Sequence, residues 1–276
     1  MKSALTIAGS DSSGGAGIQA DIKTISALGG YAASAITAVT VQNTLGVRAV
    51  HAIPPEIVCG QIEAVMEDLQ PVAVKIGMVN DIQIVHVIAD CIRKYSPEHI
   101  IYDPVMVSTS GRRKLMTDEA IEEIKKKLLP LVTLVTPNID EAKVLTGKSI
   151  QNTQDMLEAA KQLSDSYQTH ILIKGGHLEG DQMCDLLYSP DHTYYIYEEK
   201  KIESKNLHGT GCTLSSAIAS YLAKGYSMKD SICHAKEYIT HAIIAGKNLN
   251  IGHGNGPLWH FPDSIAQMCT FCAVVS

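Results

Sequence analysis

The chain has 276 residues, of which 45% are hydrophobic, enough for one large domain with a deep core or for two small ones. Its net charge of −6 and the lack of a basic stripe argue against a nucleic acid partner. No apolar run approaches the roughly 20 residues that a membrane span requires, so no membrane partner is expected. The 7 cysteines are scattered, and the first residues predict a strand rather than a signal peptide, so we expect a cytoplasmic protein with reduced thiols.

Short β-branched runs alternate with helix-period segments along nearly the whole chain, an order typical of βαβ units. Two consecutive strands without a helix between them, 185–188 and 193–202, predict a small antiparallel edge. We therefore expect an α/β fold with a mainly parallel central sheet, helices on both faces, one domain over residues 1–262 and a tail, 263–276, of unknown role. The other predicted strands are 5–8, 32–41, 72–76, 99–102, 134–136 and 170–173, and the predicted helices are 17–28, 55–69, 82–95, 118–129, 141–145, 154–164, 211–224 and 228–248.

Residues suited to chemistry follow the predicted strands directly. Parallel strands gather their carboxyl ends at one edge of a sheet, and ligands bind beyond that edge. The sequence therefore predicts one site built from the ends of six strands. Its members are Ser10 and Asp11, Gln42 and Asn43, Gly77 and Met78, Asp103, Asn138, and Lys174 with Gly175 and Gly176.

The segment 208–217, HGTGCTLSSA, places two glycines just before a predicted helix. Such a turn points N–H groups and the positive end of the helix dipole at one spot, where phosphate is the usual occupant. Cys212 stands at the start of this helix, where the pKa of a thiol is lowered and the thiolate is favoured. The alternative is a glycine N-cap beside a buried cysteine. His208 and His177 flank glycine turns and are assigned no chemistry, because either can simply bond the backbone.

Two other glycine motifs and one cysteine pair are set aside. The segment 15–20, GAGIQA, matches the dinucleotide fingerprint, but no acidic residue ends the next strand to hold a ribose. Its glycines are expected to let the backbone pass close to a small ligand, with a plain strand–helix turn as the alternative. The segment 146–149, TGKS, follows a helix and has Ala142 where a P-loop needs its first glycine. Cys269 and Cys272 lack a second ligand pair nearby, so no zinc site is expected.

Four polar positions each have two interpretations. Asn138 and Glu141 can hold the water shell of Mg²⁺ near nucleotide phosphates, or can form a helix capping pair. Asp103 is either a turn cap or a site carboxylate, and its neighbours favour the site. Lys174 ends an apolar strand, where its charge needs an anionic partner, either ATP phosphate or an ordinary ion pair.

Taken together, these motifs resemble the ribokinase-like superfamily and, within it, the hydroxymethylpyrimidine/phosphomethylpyrimidine kinases of thiamine synthesis. The resemblance runs from Ala4 to about His260. It implies a ribokinase-like fold and ATP-dependent phosphorylation of an aminopyrimidine alcohol, first to the monophosphate and then to the diphosphate. The motifs that carry it are 8–21 (AGSDSSGGAGIQAD), 41–47 (VQNTLGV), 103–106 (DPVM), 136–138 (TPN), 174–177 (KGGH) and 208–212 (HGTGC).

The resemblance also implies roles for individual residues. An amide offers a donor and an acceptor to an aminopyrimidine edge, and a carboxylate accepts from its amine, so Gln42 and Asp21 are expected to bond the ring. ATP and Mg²⁺ are implied, a monovalent cation requirement stays open, and a homodimer is expected. The remaining implied residues are Gly9, Met78 and Val107 for the pocket, Asp103, Asn138, Lys174 and Thr210 for ATP, Glu141 for the metal, and Gly209, Gly211 and Cys212 for catalysis.

Most sugar-kinase relatives carry aspartate where this chain has Cys212, so the thiolate is expected to act as general base for the alcohol. The second acceptor, a phosphomonoester, is already largely ionised at neutral pH and needs no base. Two departures from the family pattern stand out. Ser12 replaces a proline of many relatives, which is expected only to loosen the turn. In the segment 108–113 a lysine of the relatives is lost, and Arg112 or Arg113 is a candidate to replace its charge.

Two alternative functions stay open at this point. Pyridoxine/pyridoxal kinases share the fold but often lack the run Gln-Asn-Thr-x-Gly-Val that this chain has at residues 42–47, which favours the pyrimidine. A catalytically silent ligand-binding protein is the other alternative, and the presence of Cys212, Asn138, Glu141 and Lys174 argues against it.

Overall fold

The computed structural model describes residues 1–79, 81–106, 116–176 and 182–262. Several sequence predictions fall outside the described residues. These are the pocket residue Val107, the segment 108–113 with Arg112 and Arg113, His177, the pair Cys269 and Cys272, and the tail 263–276.

The strands are β1 Ser3–Asp11, β2 Tyr31–Asn43, β3 Gly46–Ala52, β4 Ala73–Ile76, β5 His99–Tyr102, β6 Leu134–Val135, β7 His170–Ile173, β8 Gln182–Tyr188 and β9 Tyr194–Lys200. In the described chain they form one 9-stranded sheet in the order β3-β2-β1-β4-β5-β6-β7-β8-β9. The pairs from β2 through β1, β4, β5 and β6 to β7 are parallel, as the βαβ alternation predicts. At one edge β7, β8 and β9 pair antiparallel, which confirms the predicted antiparallel edge.

The opposite edge differs from the prediction, which placed no strand between residue 41 and the helix at 55. There β2 turns at Thr44 and Leu45 and pairs antiparallel with β3. No residue of β3 is fully buried. The sequence GVRAVHA also lacks the strict alternation of apolar and polar residues that marks a half-buried strand, so periodicity did not predict β3.

The helices cover both faces of the sheet, as predicted. In β5, Ile100 and Tyr102 pack into the core beneath the helices between residues 55 and 167, whereas Ile101 packs beneath the last two helices, between residues 210 and 246, because successive strand residues face opposite sides. The predicted helix 118–129 ends at Lys127, and a 3-10 turn over Leu129–Leu131 follows, since Pro130 cannot donate to a helical bond. None of the helices in the described ranges is long and apolar enough to cross a membrane. The helices are α1 Gly17–Ala27, α2 Pro55–Asp68, α3 Ile82–Tyr95, α4 Asp118–Lys127, α5 Ile139–Thr146, α6 Thr153–Tyr167, α7 Thr210–Ala223 and α8 Met228–Gly246.

Candidate active site

An ion pair lies between the ends of β5 and β7, directly against the start of α7. Lys174 Nζ donates to Asp103 Oδ1 at 2.8 Å, and Thr136 donates to the same oxygen at 3.1 Å. A Cβ added to Gly211 would lie 3.4 Å from both Asp103 Oδ2 and Lys174 Nζ. Burial alone would raise the pKa of Asp103, but Lys174 and Lys75 outweigh it and lower the pKa. The structure therefore brings together three of the predicted residues, Asp103, Lys174 and Gly211. In the free chain Lys174 forms an ordinary ion pair with Asp103, which is one of the two interpretations of its charge.

The first turn of α7 has the geometry of an anion site. Its N-cap is Gly209, whose φ of 88° lies in the left-handed region, and a Cβ there would meet Gly15 O at 1.8 Å. Thr210 donates its N–H and its hydroxyl to Leu207 O, so its side chain holds the turn. The bond from Thr213 N to Gly209 O is the first within the helix. The N–H groups of the two residues between, Gly211 and Cys212, therefore have no acceptor within the helix.

The protonation state of Cys212 corrects the sequence prediction. Burial raises the pKa of this thiol to about 11, and the charges of Asp21 and Asp103 add to the effect, against the opposing influence of Lys75. The prediction considered only the helix dipole, which favours the thiolate. It was wrong because burial of the thiol, together with the charges of Asp21 and Asp103, outweighs the helix dipole, so the neutral thiol is the favoured form at pH 7 in the free chain.

The position of Asp21 also corrects a prediction. Asp21 is completely buried, and both its oxygens accept from Lys75 Nζ at 2.9 Å. Thr6 donates to Oδ2 and Ser216 donates to Oδ1 at 2.7 Å. With four bonds made within the protein, the carboxylate has no free face for an aminopyrimidine amine. Asp21 therefore belongs to a buried ion pair beneath α7 and is not a contact for the ring.

Asp11, the last residue of β1, organises the glycine-rich loop that follows it. Its Oδ1 accepts from Ser13 N and Oγ, and its Oδ2 accepts from Gly15 N and Ala16 N. His208 Nε2 lies 2.8 Å from the same Oδ2. Burial alone would raise the pKa of Asp11, but the bonds from His208 and Ser13 lower it to about 2. The carboxylate therefore joins the loop after β1 to the turn before α7.

Gln42 lies beside this junction, at the end of β2. The two ends of its side-chain amide lie 3.2 Å from Thr40 Oγ1 and 3.3 Å from His208 Nε2. Ser12 Oγ accepts from Gln42 N at 2.9 Å and donates to Gln42 O at 2.7 Å. The substitution of Ser12 for proline therefore does more than loosen the turn, since the hydroxyl ties the loop to Gln42.

Gly9 and Met78, two predicted pocket residues, contact one another. A Cβ on Gly9 would lie 2.6 Å from Met78 Cε, so the glycine makes room for the methionine side chain. Thr37 donates to Met78 O at 2.9 Å and fixes the backbone there. Met78 and Gln42 are both partly exposed, as residues that line a pocket must be.

Asn138 and Glu141 form a reciprocal capping pair at the start of α5. Glu141 N donates to Asn138 Oδ1 at 2.9 Å, and Asn138 N donates to Glu141 Oε2 at 2.8 Å. The capping interpretation is therefore confirmed. Burial raises the pKa of Glu141 to about 7, with Asp103 adding to the effect and Lys174 opposing it.

The surroundings of Glu141 fit a divalent cation. Asp103 and Glu141 supply two buried carboxylates, and Lys174 supplies one ammonium group that is paired with Asp103. The completely buried hydroxyl of Tyr102 has no hydrogen-bond partner among the described residues, and its pKa is raised by burial and by Glu141 and Asp103. Within the described ranges no group of three or more His, Cys, Asp or Glu side chains could hold a metal. Mg²⁺ commonly binds through one or two carboxylates, substrate phosphates and water, so such a cluster is not required.

The sequence counted Asp11 among the site residues without a role of its own, assigned no chemistry to His208 and did not single out Lys75. Lys75 carried a signal, because it lies within β4, AVKI, where every residue is buried and a lysine needs a carboxylate. His208 carried none, since a histidine before a glycine turn can bond the backbone equally well. Its partner Asp11 is 197 residues away along the chain.

Known proteins match this chain along most of its length. A family model described as phosphomethylpyrimidine kinase matches residues 11–259. The hydroxymethylpyrimidine/phosphomethylpyrimidine kinase of Rhizobium meliloti (strain 1021) is 48% identical over 259 residues, which cover 94% of this chain and 96% of that protein. The crystal structure of phosphomethylpyrimidine kinase from Clostridium difficile 630 is 46% identical with a TM-score of 0.79, and covers 88% of this chain and 100% of that chain. An ADP complex of Bacillus subtilis pyridoxal kinase is 34% identical with a TM-score of 0.88. The match covers 96% of this chain and 99% of that chain.

These matches confirm the expected ribokinase-like fold and identify an enzyme of the kinase class. The pyridoxal kinase is the more distant relative in sequence, although its fold superposes well. With a family model over most of its residues and a curated relative 48% identical to it, the chain belongs to the phosphomethylpyrimidine kinase family.

Proposed function

We propose that this enzyme transfers the γ-phosphoryl group of ATP to 4-amino-5-hydroxymethyl-2-methylpyrimidine, and then a second phosphoryl group to the monophosphate, in thiamine biosynthesis. The observation that carries the proposal is the meeting of the α7 start with the ion pair of Asp103 and Lys174, 3.4 Å from the Cβ position of Gly211. Donor N–H groups and an ammonium group converge there, as phosphoryl transfer requires.

In the first reaction the bond between the γ-phosphorus and the oxygen bridging to the β-phosphate breaks, and a bond to the substrate hydroxyl oxygen forms. The N–H groups of Gly211 and Cys212 bind the transferring oxygens, where negative charge is spread in the transition state. Lys174 neutralises charge on the ATP phosphates while it stays beside Asp103. Thr210 and Asn138 shape the turns on which these groups stand.

Mg²⁺ would be held on the side of Glu141, where it would neutralise the phosphates and orient them. Glu141 keeps one oxygen on Asn138 N, so its carboxylate is fixed in place by α5. In this role Asn138 positions the metal ligand through the capping pair.

Cys212 is our candidate for the general base of the first reaction, which takes the proton of the substrate hydroxyl. A pKa of about 11 means that roughly one thiol in 10⁴ is ionised at pH 7 in the free chain. The thiolate is therefore a strong but rare base, and the first reaction is expected to speed up as the pH rises. The monophosphate of the second reaction is already an anion and needs no base.

The acceptor ring is proposed to lie among Gly9, Gln42 and Met78, with Gln42 bonding its polar edge. Asp21 acts from beneath, through the ion pair with Lys75 and its bond to Ser216 of α7. We also propose a cytoplasmic location and a homodimer. The location is supported by the cysteines of the described residues, which form no disulfide among themselves.

The test is ATP consumption by the purified protein with a panel of acceptors. The aminopyrimidine alcohol and its monophosphate are expected to support turnover. Pyridoxal is the second candidate acceptor, because the pyridoxal kinase fold superposes with a TM-score of 0.88. A higher kcat/KM for pyridoxal than for the pyrimidine would refute the proposal, and so would no ATP consumption with any acceptor.

A further inference from the structure

The side-chain amide of Gln42 touches two groups whose hydrogen-bonding roles are already decided. On one side lies His208 Nε2, at 3.3 Å, and on the other lies Thr40 Oγ1, at 3.2 Å. The oxygen and nitrogen of an amide have almost the same shape, so the partners determine which end faces which group.

His208 presents a donor to Gln42. Its Nε2 lies 2.8 Å from Asp11 Oδ2, and the carboxylate of Asp11 is ionised because its pKa is about 2. A carboxylate can only accept, so the proton of the imidazole must be on Nε2. An amide with Nε2 toward His208 would therefore oppose two donors, whereas one with Oε1 toward His208 accepts from the same N–H.

Thr40 requires the same orientation from the opposite side. Its hydroxyl lies 2.8 Å from Ser10 O, a carbonyl that can only accept, so the single hydroxyl proton is committed there. The hydroxyl oxygen is then an acceptor toward Gln42, and it is satisfied by an N–H from Nε2. Two independent contacts thus place Oε1 at His208 and Nε2 at Thr40.

We propose that the Asp11–His208 pair locks the amide of Gln42 in this orientation, and that His208 thereby determines the preference of the enzyme for a 4-aminopyrimidine over a 4-oxopyrimidine ring. The proposal rests on the function proposed above. With one partner at each end, Gln42 keeps one lone pair on Oε1 and one hydrogen on Nε2 for the ring. His208 is a positioning residue here, because it acts through Gln42.

The chemistry of the two rings explains why orientation matters. The 4-amino ring presents a donor beside the acceptor N3, whereas the 4-oxo ring presents an acceptor beside N3–H. An amide that could rotate by about 180° would pair with either ring. An amide held in one orientation pairs with the 4-amino ring but sets donor against donor and acceptor against acceptor on the 4-oxo ring. Such a mismatch leaves buried groups unpaired and lowers kcat/KM about tenfold or more.

The experiment compares kcat/KM for 5-hydroxymethyl-2-methylpyrimidines with a 4-amino or a 4-oxo group in the wild type and in His208→Phe. The phenyl ring keeps most of the imidazole volume and removes the donor. We expect the wild type to favour the amino ring by about tenfold or more, and the variant to lose most of this ratio. His260→Phe is the matched control, because His260 is another buried histidine, bonded to Thr213 of α7 rather than to Gln42, and it should keep the wild-type ratio.

A purely structural role of His208 would lower kcat/KM for both rings by the same factor and leave the ratio unchanged, which would overturn the proposal. Thr40→Val removes the other hydrogen-bond partner of the Gln42 amide, so it should also reduce the ratio of kcat/KM for the amino ring over the oxo ring. This variant tests the proposal if His208→Phe does not fold. A wild type that accepts both rings equally would overturn the inference while the proposed function stands. A wild type that phosphorylates neither ring would instead overturn the proposed function.

Discussion

Replacing Lys75 with methionine is expected to destabilise the fold strongly, because it leaves the buried charge of Asp21 without its counter-ion. Both side chains are 0% exposed. The carboxylate would lose two of its four hydrogen bonds, those from Lys75, and would keep those from Thr6 and Ser216. A hydrogen bond to a charged group contributes about 1.5–3 kcal/mol, so the loss is about 3–6 kcal/mol. Breaking a buried ion pair by removing one partner costs about 3–5 kcal/mol, which agrees.

The assay is the free energy of unfolding from urea titration, followed by circular dichroism. In thermal unfolding a loss of about 3–6 kcal/mol corresponds to a fall in Tm of roughly 6–24 °C. Asp21→Asn combined with Lys75→Met removes both charges, and should recover a large part of the loss. Lys94→Met is the matched control, because Lys94 pairs with Glu63 at 2.7 Å on the exposed surface. If Lys75→Met is no more destabilising than Lys94→Met, the burial argument for this pair is wrong.

Three further predictions concern the reaction. Cys212→Ala should slow the first phosphorylation by about 10²–10⁴ and the second far less, measured separately from the alcohol and from the monophosphate; equal losses would refute the base role. Lys174→Ala should raise the KM for ATP or lower kcat, with an unchanged circular dichroism spectrum. Normal ATP kinetics in this variant would refute the role of Lys174 at the ATP phosphates and leave only its ion pair with Asp103. Because the pKa of Glu141 is about 7, Mg²⁺ binding should release about half a proton per site at pH 7 and less at pH 8, by calorimetry in buffers of different ionisation enthalpy. Glu141→Gln should abolish this release, and unchanged release would place the metal elsewhere.

The fold was predictable because its main signal is local. The alternation of β-branched runs with helix-period stretches predicted the parallel sheet, and the rule that parallel strands gather their carboxyl ends predicted that Asp103 and Lys174 would meet. The hairpin of β2 and β3 was not predictable in this way, since none of the β3 residues is fully buried and no apolar alternation marks the strand.

The roles of Asp21 and Cys212 could not be read from local patterns, because distant residues decide them. The partner of Asp21 is Lys75, 54 residues further along the chain, and the pairing removes the carboxylate from the pocket. For Cys212 the local helix start favours a thiolate, but burial and two carboxylates outweigh it. Helix-dipole effects amount to about 0.3–1 kcal/mol at exposed sites, whereas desolvation of a buried charge shifts a pKa by up to several units.

The raised pKa values of Cys212 and Glu141 share one physical cause beyond burial. Around the start of α7, Asp21 pairs with Lys75 and Asp103 pairs with Lys174, so among the described residues Glu141 is the carboxylate there without an ammonium partner of its own. This excess of negative charge favours the protonated forms of Cys212 and Glu141, whereas Lys174 and Lys75 keep the pKa of Asp103 low. Nucleotide phosphates alone would add to the excess, whereas a divalent cation would offset it and lower both pKa values. On the function proposed above, a divalent cation bound beside Glu141 would therefore also make Cys212 easier to ionise.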